Sequence, residues 1–411
     1  MSSRTKVVLI VAGFVVAMVL SFGAGVGFSF LGVHYPASSG SSSLPSAAPQ
    51  GLPGDFGLMS EVYEVLKNDY VEREKVDSRK LSQGAIRGMV EALGDPYTSY
   101  LDKESFDLEK SSLEGSFDGI GAQVAKTEKE GIVVIAPLPD TPAEKAGIRA
   151  GDRILRIDGQ PTDKLTLNEA VSKIRGPKGT QVKITILHEG ETKPIDITVT
   201  RASIQTKTVT WKTIDGFAYI KLSSFQMNTS KEFRTALRDI NKTQPKGIIL
   251  DMRMNPGGLL NEVVDVAQEF LPGKVILYEQ DRVGNRKTWT AGRGGLAEEI
   301  PLVVLVDNHS ASGSEVLAGA LQDYKRAVVM GTKTFGKGSV NTFKTFSDGS
   351  GLYLTIARWI TPVTDRKIEG LGLVPDVETT RTAEQLAQDL DPPLDRALEY
   401  LRTAPVRAGA K

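Results

Sequence analysis

Asn308-His309-Ser310-Ala311-Ser312-Gly313-Ser314-Glu315 is the stretch on which the reading of this chain turns. It follows an apolar run over residues 302–306 that reads as a buried strand. It opens an apolar-periodic run over residues 316–321 that reads as a helix. Three serines in five residues therefore sit at a strand-to-helix turn. A hydroxyl there faces the exposed amides and the positive dipole end of the helix, where a developing anion is stabilised. The same residues have a plainer reading. Ser312 followed three residues later by Glu315 is a capping box, which does no more than start a helix. Both readings stand until the rest of the chain is considered.

Working outward, composition removes several function classes. Fifty basic and fifty acidic residues cancel and no basic run occurs, so nucleic acid is not an expected partner. The absence of cysteine excludes disulfides, thiol nucleophiles and cysteine metal sites. No clustered His, Asp and Glu spacing suggests a metal, and no phosphate-loop pattern is found, so no cofactor is expected. At 411 residues, two or three domains are expected.

Residues 1–6 are polar, with Arg4 and Lys6, and read as a cytoplasmic N-terminus. Residues 7–33 carry no charge and can span a bilayer as a transmembrane helix. The rival is a cleaved signal peptide, but the apolar stretch exceeds a usual signal core and no clear Ala-x-Ala site follows. The expectation is an uncleaved anchor with everything after it outside the cytoplasm; in a bacterium that is the inner membrane, with the rest periplasmic or otherwise extracytoplasmic. Residues 34–57 form a Ser/Pro/Gly-rich linker. Residues 58–110 read as a helical region, with Val62, Val65, Leu66 and Tyr70, then Leu81, Ile86, Met89, Val90 and Leu93, in helical period. Gly94-Asp95-Pro96-Tyr97-Thr98-Ser99-Tyr100 is a turn with a Pro breaker. This region is expected to pack or to dimerise, with no chemistry assigned to it.

Over residues 111–203 the pattern becomes short β segments around two helical stretches. Gly119-Ile120-Gly121-Ala122, Ala146-Gly147-Ile148-x-x-Gly151-Asp152 and Ile157-Asp158-Gly159 together resemble a PDZ domain in the circular arrangement of bacterial proteases. The resemblance implies an α+β unit. The exposed amides of its loop (Gly119, Ile120, Gly121, Ala122) would hold a chain-terminal carboxylate while the peptide adds as a strand. From residue 204 to 380 strands alternate with helices, which predicts an α/β core with parallel strands and sites at strand C-terminal ends. The Asn255-Pro256-Gly257-Gly258 turn and the serine cluster both fall at such ends. Residues 381–411 read as a helical tail broken by Pro392-Pro393.

A serine is a weak nucleophile until a base takes its proton. Only three histidines exist: His34 beside the membrane span, His188 in a strand of the PDZ-like unit, and His309, three residues from Ser312. A Ser-His-Asp site is therefore poorly supported. A lysine can replace histidine, provided burial lowers its pKa from about 10.4 by about two to three units. Lys337, in Thr334-Phe335-Gly336-Lys337-Gly338-Ser339, is the best candidate. Its flanking glycines let the backbone approach closely, and Phe335 and Val340 could form an apolar wall. The plain alternative is a solvated turn lysine.

Three ordered motifs now meet: Ser310-Ala311-Ser312-Gly313-Ser314-Glu315, Ala318-Gly319-Ala320-Leu321-Gln322-Asp323, and Gly331-x-Lys333-Thr334-Phe335-Gly336-Lys337-Gly338. With Asp251-Met252-Arg253-Met254-Asn255-Pro256-Gly257-Gly258-Leu259-Leu260 and Gly372-Leu373-Val374-Pro375-Asp376, they resemble the C-terminal processing proteases of peptidase family S41. The resemblance runs from about residue 58 to residue 377. It implies a core of ClpP/crotonase-like βα layers, Ser312 as nucleophile and Lys337 as general base. It also implies an oxyanion hole made by the Gly313 amide with one from Gly257 or Gly258. Arg175, in Arg175-Gly176-Pro177-Lys178-Gly179, resembles a position that couples PDZ docking to activation, with a solvated turn as the plain reading. Two positions depart from the family. Asn341 stands where a Gln amide usually helps orient the base, and Gly313 stands where Ala is usual. The implied function is a membrane-anchored serine endopeptidase that recognises apolar or unfolded C-terminal tails through its PDZ domain and cleaves by a Ser-Lys acyl-enzyme route. The alternative is a PDZ peptide-binding scaffold on a weakly active or inactive protease fold. Whether the chain forms a homo-oligomer or uses an adaptor is left open.

Overall fold

The computed structural model describes residues 56–127 and 131–403. The expected membrane anchor over residues 7–33 lies outside them. Among the described residues no helix is long and apolar enough to cross a membrane.

The N-terminal region opens with α1 (Gly57–Asp69) and α2 (Ser78–Glu91), the latter started by the Asp77 carboxylate, which accepts the Arg79 and Lys80 amides. A turn at 94–98 then leads into β1 (Ser99–Leu101) and α3 (Lys103–Leu113). The helical reading of residues 58–110 thus misses one strand. Ser99–Leu101 leaves this region to join a sheet of the α/β core, a long-range pairing that local periodicity does not encode.

The second unit contains β2 (Ser116–Gly119), β3 (Ala122–Thr127), β4 (Gly131–Pro137), α4 (Pro142–Lys145), β5 (Arg153–Ile157) and β6 (Gln160–Pro161). It continues with α5 (Leu167–Ile174), β7 (Gln181–Leu187), β8 (Ile195–Thr200) and β9 (Ala202–Gln205). β2 and β9 pair antiparallel, Ser116 opposite Gln205, which brings the two ends of the unit together. Strand order in its main sheet is β3-β4-β5-β7-β8, with β6 on β5. Val182, Ile184 and Ile186 of β7 alternate into a core with Ile132, Ile154, Ile157 and Ala170. A capping box, Thr166 with Glu169, starts α5. β3 is an edge strand and packs beside α5.

The core follows: β10 (Val209–Ile214), β11 (Phe217–Leu222), α6 (Thr229–Lys242), β12 (Ile248–Asp251), α7 (Leu260–Gln268), β13 (Val275–Asp281) and β14 (Arg286–Thr290). It continues with β15 (Leu302–Val306), α8 (Gly313–Asp323), β16 (Val328–Gly331), β17 (Ser339–Thr345), β18 (Gly351–Ile360), β19 (Val377–Glu378), α9 (Ala383–Ala387) and α10 (Pro392–Thr403). One sheet has the order β10-β11-β12-β15-β16-β19 and is parallel from β11 onward. Its central strands are apolar at nearly every residue because both faces are covered. Ile248, Leu250, Leu302 and Val304 face α6, α7 and α8, while Ile249, Val303 and Leu305 face Ala397, Leu398 and Leu401 of α10. The tail therefore closes the second face of the sheet. Pro392 opens α10, where proline is tolerated because the first-turn amides have no helical partner.

A second, antiparallel sheet was not foreseen by the βα alternation. β18 is its spine. Tyr353 is paired with Phe343 of β17 and Ser99 of β1, and Ala357 with Val340 of β17 and Asp281 of β13, so β17 lines one edge while β1 and β13 share the other. The loop between β16 and β17 carries Lys337 from the first sheet to the second.

Candidate active site

Ser312 lies just past the C-terminal end of β15, as the N-cap of α8, with φ +55° and ψ −115°. A non-glycine residue at this φ is strained and must be held by its surroundings. Here the Ala311 amide and the Ser314 hydroxyl both donate to the Asn255 carbonyl, at 3.0 and 2.9 Å. The Glu315 carboxylate accepts the Ser312 amide at 2.9 Å. Only that half of the capping box forms. The Ser312 hydroxyl is fully buried and has no hydrogen-bond partner among the described residues, so it is not spent on the cap. Ser310 donates to the Met252 carbonyl, and neither flanking serine bonds Lys337. The His309 ring lies 3.8 Å from an Asp307 oxygen and makes no hydrogen bond to the Ser312 hydroxyl.

The Asn-Pro-Gly-Gly turn packs directly on this elbow. At Gly257 (φ +98°) a Cβ would lie 2.7 Å from the Gly313 nitrogen and 2.8 Å from Ser312 Cβ. At Gly258 (φ +142°) it would lie 2.1 Å from the Phe225 carbonyl oxygen. Only glycine fits either place. Asn255 Oδ1 accepts the Gly257 amide at 2.8 Å, so that donor is already committed. The Gly258 and Gly313 amides make no hydrogen bond among the described residues. The departure at Gly313 has a local cause: a Cβ there would come within 2.7 Å of Val263 Cγ2. The turn on either side of it is tied to Asn255 through Ala311 and Ser314.

Glu315 joins the serine turn to the lysine loop. Besides the Ser312 amide it accepts the Thr334 hydroxyl at 2.5 Å and the amides of Gly336 and Lys337 at 2.8 and 2.9 Å. Burial pushes its carboxyl up to about 7 against these donors. Lys337 is also fully buried, and its Nζ has no hydrogen-bond partner among the described residues. Burial pulls the ammonium down to about 7, opposed by the carboxylates of Glu109, Glu369, Asp95 and Glu315. Glu109 of α3 is itself pushed up to about 7 by burial, with the Lys337 charge pulling the other way. The Lys337 Nζ lies over two rings, Tyr97 at 5.0 Å and Tyr353 at 5.6 Å from the centroids.

Asn341 sits near this lysine but does not bond it. Its Nδ2 donates to the Tyr97 carbonyl (2.9 Å) and to Thr355 Oγ1 (3.1 Å), and its Oδ1 accepts the Ser339 hydroxyl (3.0 Å). These bonds occupy both ends of its short amide. The expectation that it orients the base by direct contact is not met by this geometry.

Sequence reasoning missed four contributors. Tyr97 lies in a turn to which no chemistry was assigned. Glu315 was read only as a cap. Asp251 and Arg253 were quoted within a motif but given no role. Burial raises the Asp251 carboxyl while Arg253 and Lys221 lower it, with the net result about 2. Arg253 also grips Asp391 just before α10, at 2.7 and 2.9 Å, and so ties the tail to the strand end that feeds the glycine turn.

In the second unit, residues Gly119, Ile120, Gly121 and Ala122 link β2 to the edge strand β3. The Ile120 side chain is buried in the core of the unit, so it does not extend from the loop into solvent. Gly121 has φ +78°, and Thr141 Oγ1 donates to its carbonyl at 3.0 Å. Arg175, the C-cap of α5, is not a solvated turn charge. Its Nη1 donates to Ser111 Oγ at 2.7 Å and its guanidinium lies 4.4 Å from the Phe117 ring centroid. It thereby joins this unit to α3, the helix that carries Glu109.

Comparison with known proteins gives the family. The family model described as Peptidase family S41 matches residues 216–379, the PDZ domain model residues 107–187, and the activating protease CtpB N-terminal domain model residues 24–105. The carboxy-terminal-processing protease of Bartonella bacilliformis is 39% identical over 340 residues, covering 82% of this chain and 77% of that protein. The carboxy-terminal processing protease CtpA of Bacillus subtilis is 38% identical over 308 residues, covering 74% and 65%. A Bacteroides fragilis crystal structure assigned to the S41 proteases shares the fold at 18% identity and a TM-score of 0.51, covering 87% of this chain and 99% of that one.

Proposed function

The chain belongs to the carboxy-terminal processing proteases of peptidase family S41, serine peptidases here joined to a PDZ domain, and from that premise we propose that Ser312 is its nucleophile and Lys337 its general base. The observation that carries this reading is a pair of fully buried polar atoms without hydrogen-bond partners among the described residues, Ser312 Oγ and Lys337 Nζ, on two loops that one carboxylate, Glu315, ties together. Buried polar groups are normally satisfied, and exceptions gather where substrate supplies the partner.

The neutral Lys337 amine takes the Ser312 proton as Oγ attacks the scissile carbonyl. The resulting oxyanion is stabilised by the Gly313 and Gly258 amides, both without other acceptors among the described residues. The Lys337 ammonium then protonates the leaving amine, and the freed base activates water to cleave the acyl-enzyme. Activity needs the unprotonated amine, so kcat/KM rises with pH through about 7.

Substrate selection is assigned to the PDZ domain. An apolar C-terminal tail adds to the edge of β3, its carboxylate on the Gly119–Ala122 loop amides. The uncharged residues 7–33, preceded by Arg4 and Lys6, support a single-pass anchor with the protease outside the cytoplasm. Helices on both faces of the parallel sheet support ClpP/crotonase-like layering. A second reading, a peptide-binding scaffold on a weakly active or inactive protease fold, draws on Asn341, which stands where a Gln usually orients the base and bonds Tyr97, Ser339 and Thr355 instead of Lys337. The test is incubation of the full-length chain with an unfolded protein bearing an apolar C-terminus. Cleavage by wild type and its loss in Ser312→Ala and Lys337→Ala are expected. Equal survival of the substrate with wild type and Ser312→Ala would favour the scaffold.

A further inference from the structure

Lys337 Nζ has aromatic faces where a base would ordinarily have a hydrogen-bonding guide. The Tyr97 ring centroid is 5.0 Å away and the Tyr353 centroid 5.6 Å. Tyr353 belongs to the spine strand β18, but Tyr97 comes from the turn between α2 and β1, and several bonds hold it there. Asn341 Nδ2 donates to its carbonyl at 2.9 Å. Its amide donates to Asp95 Oδ1 at 3.0 Å. Next to it, the Thr98 hydroxyl donates to Asp95 Oδ2 at 2.7 Å and accepts the Thr355 amide at 3.1 Å. Asn341 and Thr355 are both on the sheet entered from the lysine loop, so the ring's place is set by the same strands that set the lysine's.

An aromatic face attracts an ammonium through its quadrupole and has little hold on a neutral amine. We infer that Tyr97 is a positioning residue for Lys337: locked by Asn341, its ring steers the amine within the site and favours the protonated form against burial. The inference rests on Lys337 being the base. It also gives Asn341 a task, which is to fix the aromatic wall of the base rather than the base itself. The charged groups facing Lys337 are Glu109 from α3, Glu369 from the loop after β18, Asp95 from the Tyr97 turn and Glu315 from α8. All four favour the ammonium, as the ring does, and burial opposes them.

The test compares kcat/KM against pH for full-length wild type, Tyr97→Phe and Tyr97→Leu, using an apolar-tailed peptide with no group titrating between pH 5 and 9. Phenylalanine keeps the ring face, and its acid limb stays with that of wild type. Leucine keeps the site dry but removes the quadrupole, and its acid limb moves to lower pH by about half a unit to one and a half units. A leucine variant whose limb coincides with wild type overturns the inference, as does a phenylalanine variant that shifts as far as leucine. Should Tyr97→Leu not fold, Asn341→Ala releases the Tyr97 carbonyl and is expected to move the limb in the same direction. An unmoved limb there also overturns the inference. If Ser312→Ala cleaves as wild type does, the dyad itself falls. If cleavage needs the dyad but the limb ignores Tyr97, only the present inference falls.

Discussion

The two halves of the proposed active site are held in place by different means. The nucleophile half is built from backbone: Asn255, Gly257, Gly258 and the Ser312 elbow lock together through carbonyls, amides and positions where no Cβ fits. The base half is built from side chains: Lys337 is walled by Tyr97 and Tyr353, and Asn341 and Thr355 hold the wall. Glu315 bonds both halves through its carboxylate, and the Phe335 amide adds a second tie by donating to the Ser310 carbonyl at 3.1 Å. Backbone construction leaves no slack, whereas side-chain construction can adjust. The nucleophile half should therefore tolerate far less change.

Gly258→Ala tests the rigid half and carries the largest expected effect. Its methyl would meet the Phe225 carbonyl at 2.1 Å and move a proposed oxyanion donor. A loss of about 10² to 10³ in kcat is expected, with a destabilisation of about 1–3 kcal/mol read by thermal unfolding. Glu315→Gln tests the joint. Each carboxylate oxygen accepts two donors, so either amide orientation turns an NH2 against a pair of them. A fall in kcat of about tenfold or more is expected, with KM little changed, because the two loops lose their common anchor. Asn341→Gln tests the adjustable half. The longer stem must repack among Tyr97, Ser339 and Thr355, at about 1 kcal/mol, with a rate change below about tenfold. Steady-state kinetics on all three variants would break the comparison if Asn341→Gln proved as damaging as Gly258→Ala.

The same division explains what could be read from sequence. The serine turn was legible because its strand, turn and helix are contiguous, and the Asn-Pro-Gly-Gly turn because glycine marks backbone that must approach closely. The parallel strands announced themselves as continuous apolar runs, with Ile248 to Leu250 buried throughout. The PDZ-like unit was legible for similar reasons: its glycine turns and alternating strands are local features. The antiparallel sheet was not legible. β1 has three residues, and β14 is mostly exposed and carries no apolar alternation to mark its register. The wall around Lys337 was hidden for a further reason. Tyr97 and Asn341 meet across 244 positions, and nothing in either neighbourhood points to the other. Glu315 was visible as a helix cap, but its second task depends on a loop about twenty residues later arriving at the same carboxylate.

The claim at the centre is that Ser312 forms the acyl-enzyme and Lys337, neutral above about pH 7, makes it reactive. The most direct measurement is acid-quench trapping during turnover of an apolar-tailed peptide, with the added mass mapped by mass spectrometry. The account predicts an acyl group on the peptide that contains Ser312, accumulating faster as pH rises through about 7 and absent in Lys337→Ala. An acyl group on another residue, or Ser312 acylation that proceeds equally without Lys337, would contradict it.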